Sequence, residues 1–140
     1  MEITMKNIEA NSQQVTPDRI TELGPRDAFV FGSNLMGAHG AGAARLAYER
    51  FGAQWGVGVG PTGRCYAIPT MQGPVDTIKP YVDDFIDYAI QHPETNFLVT
   101  KIGCGIAGFT CDEIAPLFRS SLGMINVALP KEFIDILSEE

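Results

Sequence analysis

Basic residues are scarce in this chain: 10 Lys and Arg stand against 17 Asp and Glu, a formal net charge of −7. That balance excludes a nucleic-acid phosphate backbone as the main partner, and no basic cluster interrupts it. Cysteine is scarce too. Cys65, Cys104 and Cys111 form no C-x-x-C pair, which excludes a disulfide framework and a zinc site and suits a reducing compartment. With only His39 and His92 to add, no metal cluster can be assembled, and no cofactor is expected. No apolar run approaches membrane-spanning length, and the opening Met1 to Lys6 lacks a basic-then-apolar signal pattern. The expectation is a cytoplasmic protein with no membrane partner. What is present suffices for one compact domain over residues 1–140, since 45% of the residues are hydrophobic.

Glycine is plentiful, and its placement organises the chain. Ala28 to Phe31 reads as a buried strand that stops at Gly32-Ser33-Asn34. A loop with glycines at 37, 40 and 42 follows, and an Ala-rich helix runs from Ala41 to Phe51, with Leu46, Ala47 and Phe51 inward and Gly52 as its stop. Strand, glycine loop and helix N-terminus together present free backbone N–H groups to an anion. A tight turn that binds nothing needs neither this many glycines nor the neighbouring Asn34 and His39.

The remaining elements alternate. Residues 2–5 suggest an edge strand, and Thr16-Pro17 a short helical turn. Gly56 to Gly63 contains G-x-G-x-x-G, but a strand follows it where the dinucleotide fingerprint needs a helix, so it reads as a loop or a strand and turn. Arg64 to Ile68 is a strand ending at Pro69. Val75 to Gln91 is a helix with Val75, Ile78, Val82, Phe85, Ile86, Ala89 and Ile90 on one face and a solvated row of aspartates on the other. His92 suits its C-terminal dipole. Asn96 to Ile102 is a central strand running into a second glycine loop, Gly103 to Phe109. Thr110 and Glu113 then form a capping box, Met124 to Leu129 a last strand, and Pro130 opens a final helix with Phe133, Ile134, Ile136 and Leu137 inward.

Alternating strands and helices imply a three-layer α/β/α sandwich around a mixed, largely parallel sheet. Ligands bind beyond the carboxyl ends of such strands. Both glycine loops, about residues 32–42 and 103–109, then belong to one rim and can close on one ligand from two sides. The loops are neither a P-loop built for NTP hydrolysis nor a classical Rossmann dinucleotide site. Ala38-His39 stand where a P-loop needs Lys and a hydroxyl, and no acidic residue ends the next strand.

An Asn-containing turn followed by Gly-Ala-His-Gly-Ala-Gly-Ala-Ala at a helix start resembles the first ligand loop of macro domains. Gly103-Cys104-Gly105-Ile106-Ala107-Gly108-Phe109 resembles their second, phosphate-clasping loop. More closely, the chain from Asp27 to Leu129 is similar to small macro-like proteins of bacteria and phages. The resemblance implies an ADP-ribose-binding module in which Gly32, Ser33, Asn34, Gly37, His39, Gly40, Ala41 and Gly42 supply one side of the site and Gly103 to Phe109 the other. It puts Asn34 against the distal ribose, Gly40 and Gly42 near that sugar and the phosphates, and Phe109 beside the sugar. Asp27 stands near the residue that reads adenine.

The acidic residue of hydrolytic macro domains is missing from the first loop, where Ala41 stands. An enzymatic alternative, hydrolysis of an ADP-ribosylated substrate or of ADP-ribose 1″-phosphate, therefore leaves water to be activated by His39 or by the substrate's phosphate, with Asn34 orienting the ribose. Cys104 between two glycines is a formal nucleophile, though a small residue filling a tight loop explains it as well. A third alternative is a protein-interaction domain whose glycine loops are structural.

Overall fold

The computed structural model describes residues 13–139; the edge strand expected at residues 2–5 lies outside them. The elements run β1 (Asp27–Ser33), α1 (Gly42–Arg50), β2 (Gly60–Thr62), β3 (Cys65–Pro69), a 3-10 turn (Val75–Thr77), α2 (Lys79–Gln91), β4 (Asn96–Val99), α3 (Cys111–Ile114), a second 3-10 stretch (Ala115–Ser121), β5 (Val127–Ala128) and α4 (Lys131–Ser138). The strands form one sheet in the order β2-β3-β1-β4-β5, parallel except for the β2–β3 pair.

The alternation of side chains along β1 builds two cores. Phe29 and Phe31 point to one face and meet Ala44 and Ala47 of α1, Phe51, and Cys65 and Ala67 of β3. Ala28 and Val30 point to the other and join Tyr66, Ile68, Phe97 and Val99 beneath α2, the second 3-10 stretch and α4. A helix layer on each face of a mixed sheet gives the α/β/α sandwich. Phe85 is the hub of the larger core, its ring 5.1 Å from Tyr66, 5.5 Å from Phe97 and 6.4 Å from Phe118. Phe85→Ala is expected to cost about 3–5 kcal/mol, read as a lower urea midpoint with an unchanged slope.

Four elements differ from the sequence reading. The helix expected from Val75 begins at Lys79, because Pro80 has no N–H and fits only a first turn. Its apolar stripe closes at Ala89, so Ile90 faces solvent. The strand expected to reach Ile102 stops at Val99: the Thr100 N–H makes the last ladder bond to the Val30 carbonyl (3.1 Å), joined by the Thr100 hydroxyl (2.8 Å), and the Ile102 N–H then closes on the Thr100 carbonyl at 2.7 Å and turns the chain. The last strand shrinks to Val127–Ala128, since the Met124 N–H bonds back to Ser121 and the Asn126 amide goes to the Ala89 and His92 carbonyls. The Thr16-Pro17 turn is replaced by extended chain, where the Thr16 N–H donates to Leu129 and Val15 bridges Leu129 in parallel.

Other local readings match the geometry. Ala41 and Phe51 flank α1, and Gly52 follows with φ 82°. The Thr110 hydroxyl accepts from the Glu113 N–H (3.2 Å) while the Glu113 carboxylate accepts from the Thr110 N–H (2.9 Å), completing the capping box. His92 Nδ1 bonds the Tyr88 carbonyl at 2.7 Å, at the C-terminal end of α2.

Candidate functional site

β1 ends at the rim between β3 and β4, so the chain leaving it lies beside the chain leaving β4. The two glycine loops meet there. A Cβ on Gly42 would touch Ile106 Cδ1 at 3.4 Å, and one on Gly32 would lie 3.4 Å from the Gly103 N. Between the loops opens a cavity of about 440 Å³ lined by Gly32, Ser33 and Asn34, by Gly40 to Ala44, and by Gly103, Gly105, Ile106 and Ala107. Ala41 caps α1 with no side-chain hydrogen bond, so the first-turn amides of that helix meet the cavity without a side chain over them. Among the described residues, the one charged side chain on its wall is Lys101, which also pairs with Glu132.

A second cavity of about 610 Å³ adjoins the first and shares Ala43, Thr100 and Lys101 with it. Asp18, Ile20, Phe29 and Arg50 contribute to its walls. Lys101 therefore stands between the two chambers.

The first loop is fixed by its own chemistry. Asn34 accepts from the Ala38 N–H (3.0 Å) and donates to the Ala38 carbonyl (2.9 Å), which closes residues 34–38 into a ring. Half of its amide capacity remains for a ligand. The Gly37 N–H donates to Asn34 and its carbonyl accepts from Gly56, both at 2.9 Å. The Ser33 hydroxyl donates to the Gly58 carbonyl. The glycine run 56–60 is thus the bed on which the loop lies. The matching of G-x-G-x-x-G there has no bearing on a ligand: β2, Gly63 and β3 make a two-residue hairpin, with Gly63 at φ 57° in the first turn position.

Five residues expected at the site do not line the cavity: Gly37, His39, Cys104, Gly108 and Phe109. His39 is fully buried, edge-on to Phe31 at 5.4 Å, with Nε2 3.0 Å from the Gln54 carbonyl and Nδ1 buried without a partner. A carbonyl can only accept, so Nε2 donates to it. The ring braces the loop and does not reach the ligand side. Phe109 packs against the larger core and over Gly103. Asp27 sits at the far end of β1, where its carboxylate accepts from the Gly24 N–H at 2.8 Å, away from the rim.

Cys104 is turned toward Cys111, with the sulfurs 3.7 Å apart, and donates to the Ile102 carbonyl. Burial, then the Cys111 hydrogen bond, pushes its thiol up to about 12, and burial does the same to Cys65. A raised thiol aimed at Cys111 and the Ile102 carbonyl, outside the cavity lining, argues against the nucleophile reading of Cys104. Iodoacetamide at pH 8 is expected to label Cys65 and Cys104 at least about 100-fold more slowly in the native than in the denatured protein. Rapid native labelling of Cys104, read by peptide mass spectrometry, would contradict the raised thiol held against Cys111.

Lys101, Thr100, Trp55, Thr70 and Met71 line the cavity without having been expected there. Lys101 was hidden inside an apolar run that reads as strand. Trp55 carried a signal that was overlooked, a large aromatic set among polar and glycine residues beyond a helix stop.

Together these features define an α/β/α protein with a two-loop, amide-lined cleft at the carboxyl rim of its sheet. No family model, curated protein or solved structure matches the chain. No helix among the described residues is long and apolar enough to cross a membrane.

Proposed function

We propose that this cleft binds ADP-ribose or a related nucleotide diphosphate, as the resemblance to macro domains implies. The observation that carries the proposal is the convergence of both glycine loops and the N-terminus of α1 on one acid-free cavity, with a second cavity sharing its wall. A diphosphate suits the loop amides and the Lys101 ammonium, because each phosphate oxygen needs donors and a glycine carries no Cβ to screen the N–H groups beside it. The terminal ribose then occupies the first chamber beside Asn34 and Gly40, and the nucleoside the second. Asp18 there can accept from an exocyclic amine on the base. A cytoplasmic setting supplies such ligands.

Binding rather than hydrolysis is the reading the geometry favours. Of the two routes open to the catalytic alternative, the burial of His39 against Phe31 and Gln54 removes the one through His39 and leaves only activation of water by the substrate's own phosphate. The interaction-domain alternative has no use for two adjoining chambers.

Calorimetric titration tests the proposal. ADP-ribose is expected to bind with a micromolar Kd and AMP at least tenfold more weakly, because AMP lacks the second phosphate and terminal sugar (about 1.4 kcal/mol). Asn34→Ala should weaken ADP-ribose in the same assay, since the 34–38 ring opens. No heat and no ligand-dependent shift in melting would overturn the assignment.

A further inference from the structure

Trp55 is the chain's one tryptophan, and it stands 56% exposed in the wall of the first cavity. An indole left half in water forgoes a large apolar burial, so what holds it there matters. Its ring is braced on two sides. Tyr48 meets it at 5.3 Å and 76°, and the buried His39 at 6.0 Å and 65°, both edge-to-face arrangements. The backbone just before it is pinned as well, by the His39 bond to the Gln54 carbonyl and by the Gln54 N–H on the Thr62 hydroxyl at 2.8 Å. Met71 and Ile106, also exposed, line the same cavity. An apolar, aromatic-led rim thus stands over a floor of glycine amides. The phosphates and sugars of the proposed ligand use the floor and leave the rim unused.

We infer that Trp55 is the platform of a further subsite at the cleft mouth, which takes a planar heteroaromatic ring attached to the sugar end of the ligand, a cationic ring above all. This rests on the nucleotide reading above and extends it to the class of group the ligand carries. A flat ring gains from stacking on indole, and a positive ring gains again from the indole quadrupole. The chain's net charge of −7 favours a cation further. Met71 and Ile106 supply apolar contact around the ring without competing hydrogen bonds. His39 acquires its purpose here, as the support of Trp55.

NAD is the direct probe, because it is ADP-ribose with a pyridinium ring on the terminal sugar. With one tryptophan, all indole emission reports this site. NAD is expected to quench that emission and to bind about tenfold more tightly than ADP-ribose. Trp55→Ala should lower NAD affinity about tenfold more than ADP-ribose affinity, erasing the NAD advantage, and Trp55→Phe should keep part of it. Equal binding of the two ligands by the unmodified protein would overturn the subsite and leave the nucleotide reading intact. An equal loss for both ligands in Trp55→Ala would overturn it too, by showing that the ring only shapes the loop. Nicotinamide mononucleotide separates the two ideas if ADP-ribose itself does not bind: quenching by it supports the ring subsite alone, and its failure to quench overturns it.

Discussion

Gly105→Asp is expected to weaken ADP-ribose binding by about 100-fold or more without lowering the melting temperature. Gly105 lines the cavity, and a Cβ added there would meet nothing within 4 Å. Its φ is not left-handed, so a side chain brings no backbone strain. The substitution therefore changes charge and little else, with a stability effect within about 0.5 kcal/mol. A carboxylate about 5 Å from a diphosphate charge costs about 3 kcal/mol at an effective dielectric constant near 20, which corresponds to about two decades in affinity. Gly105→Asn is the control of equal size. It should retain most of the affinity, and the gap between the two variants should narrow as salt is raised. If both variants bind as the unmodified protein does, the second loop does not hold the anion.

Gly37→Ala should do the reverse, damaging the fold of the first loop although the residue does not line the cavity. Gly37 has φ 69°, and a Cβ there would lie 2.3 Å from the Gly56 carbonyl carbon and 2.4 Å from the Val57 N. The left-handed conformation alone costs an alanine about 1–2 kcal/mol. The overlap is with backbone, which cannot rotate away, so residues 34–38 and 56–58 must separate and break the Gly56 to Gly37 hydrogen bond. A total loss of about 3 kcal/mol, or roughly 10 °C in Tm, is expected, together with a weakened site. Gly58→Ala should behave likewise, because its Cβ would come within 1.9 Å of the Asn34 carbonyl oxygen. A Gly37→Ala protein with unchanged melting would mean that the glycine run 56–60 does not support the loop.

These two glycines show how far the sequence could be read. Residues whose role is local were legible: the strand Ala28 to Phe31, the helix opened by Ala41, and the capping box of Thr110 and Glu113 all follow from short-range pattern. The placing of both loops on one rim was legible as well, since it follows from strand–loop–helix order in a parallel sheet. Roles set by tertiary contact were not. Nothing near Gly56 says that it beds against Gly37, because that partner is fixed by how the β2–β3 hairpin folds back. His39 looked like a base because a histidine in a glycine loop is exposed by default, and only packing against Phe31 turns its ring inward. Lys101 reads as part of a strand by its apolar neighbours, and only the closing of the Ile102 N–H on the Thr100 carbonyl turns the chain there.

The central claim is that both glycine loops close on one ligand, and amide hydrogen exchange with and without ADP-ribose tests it most directly. The account predicts slower exchange on saturation in two separate stretches, residues 32–44 and 103–109, with the helix α2 unchanged. Protection of one stretch without the other, or of neither at a saturating concentration, would contradict it.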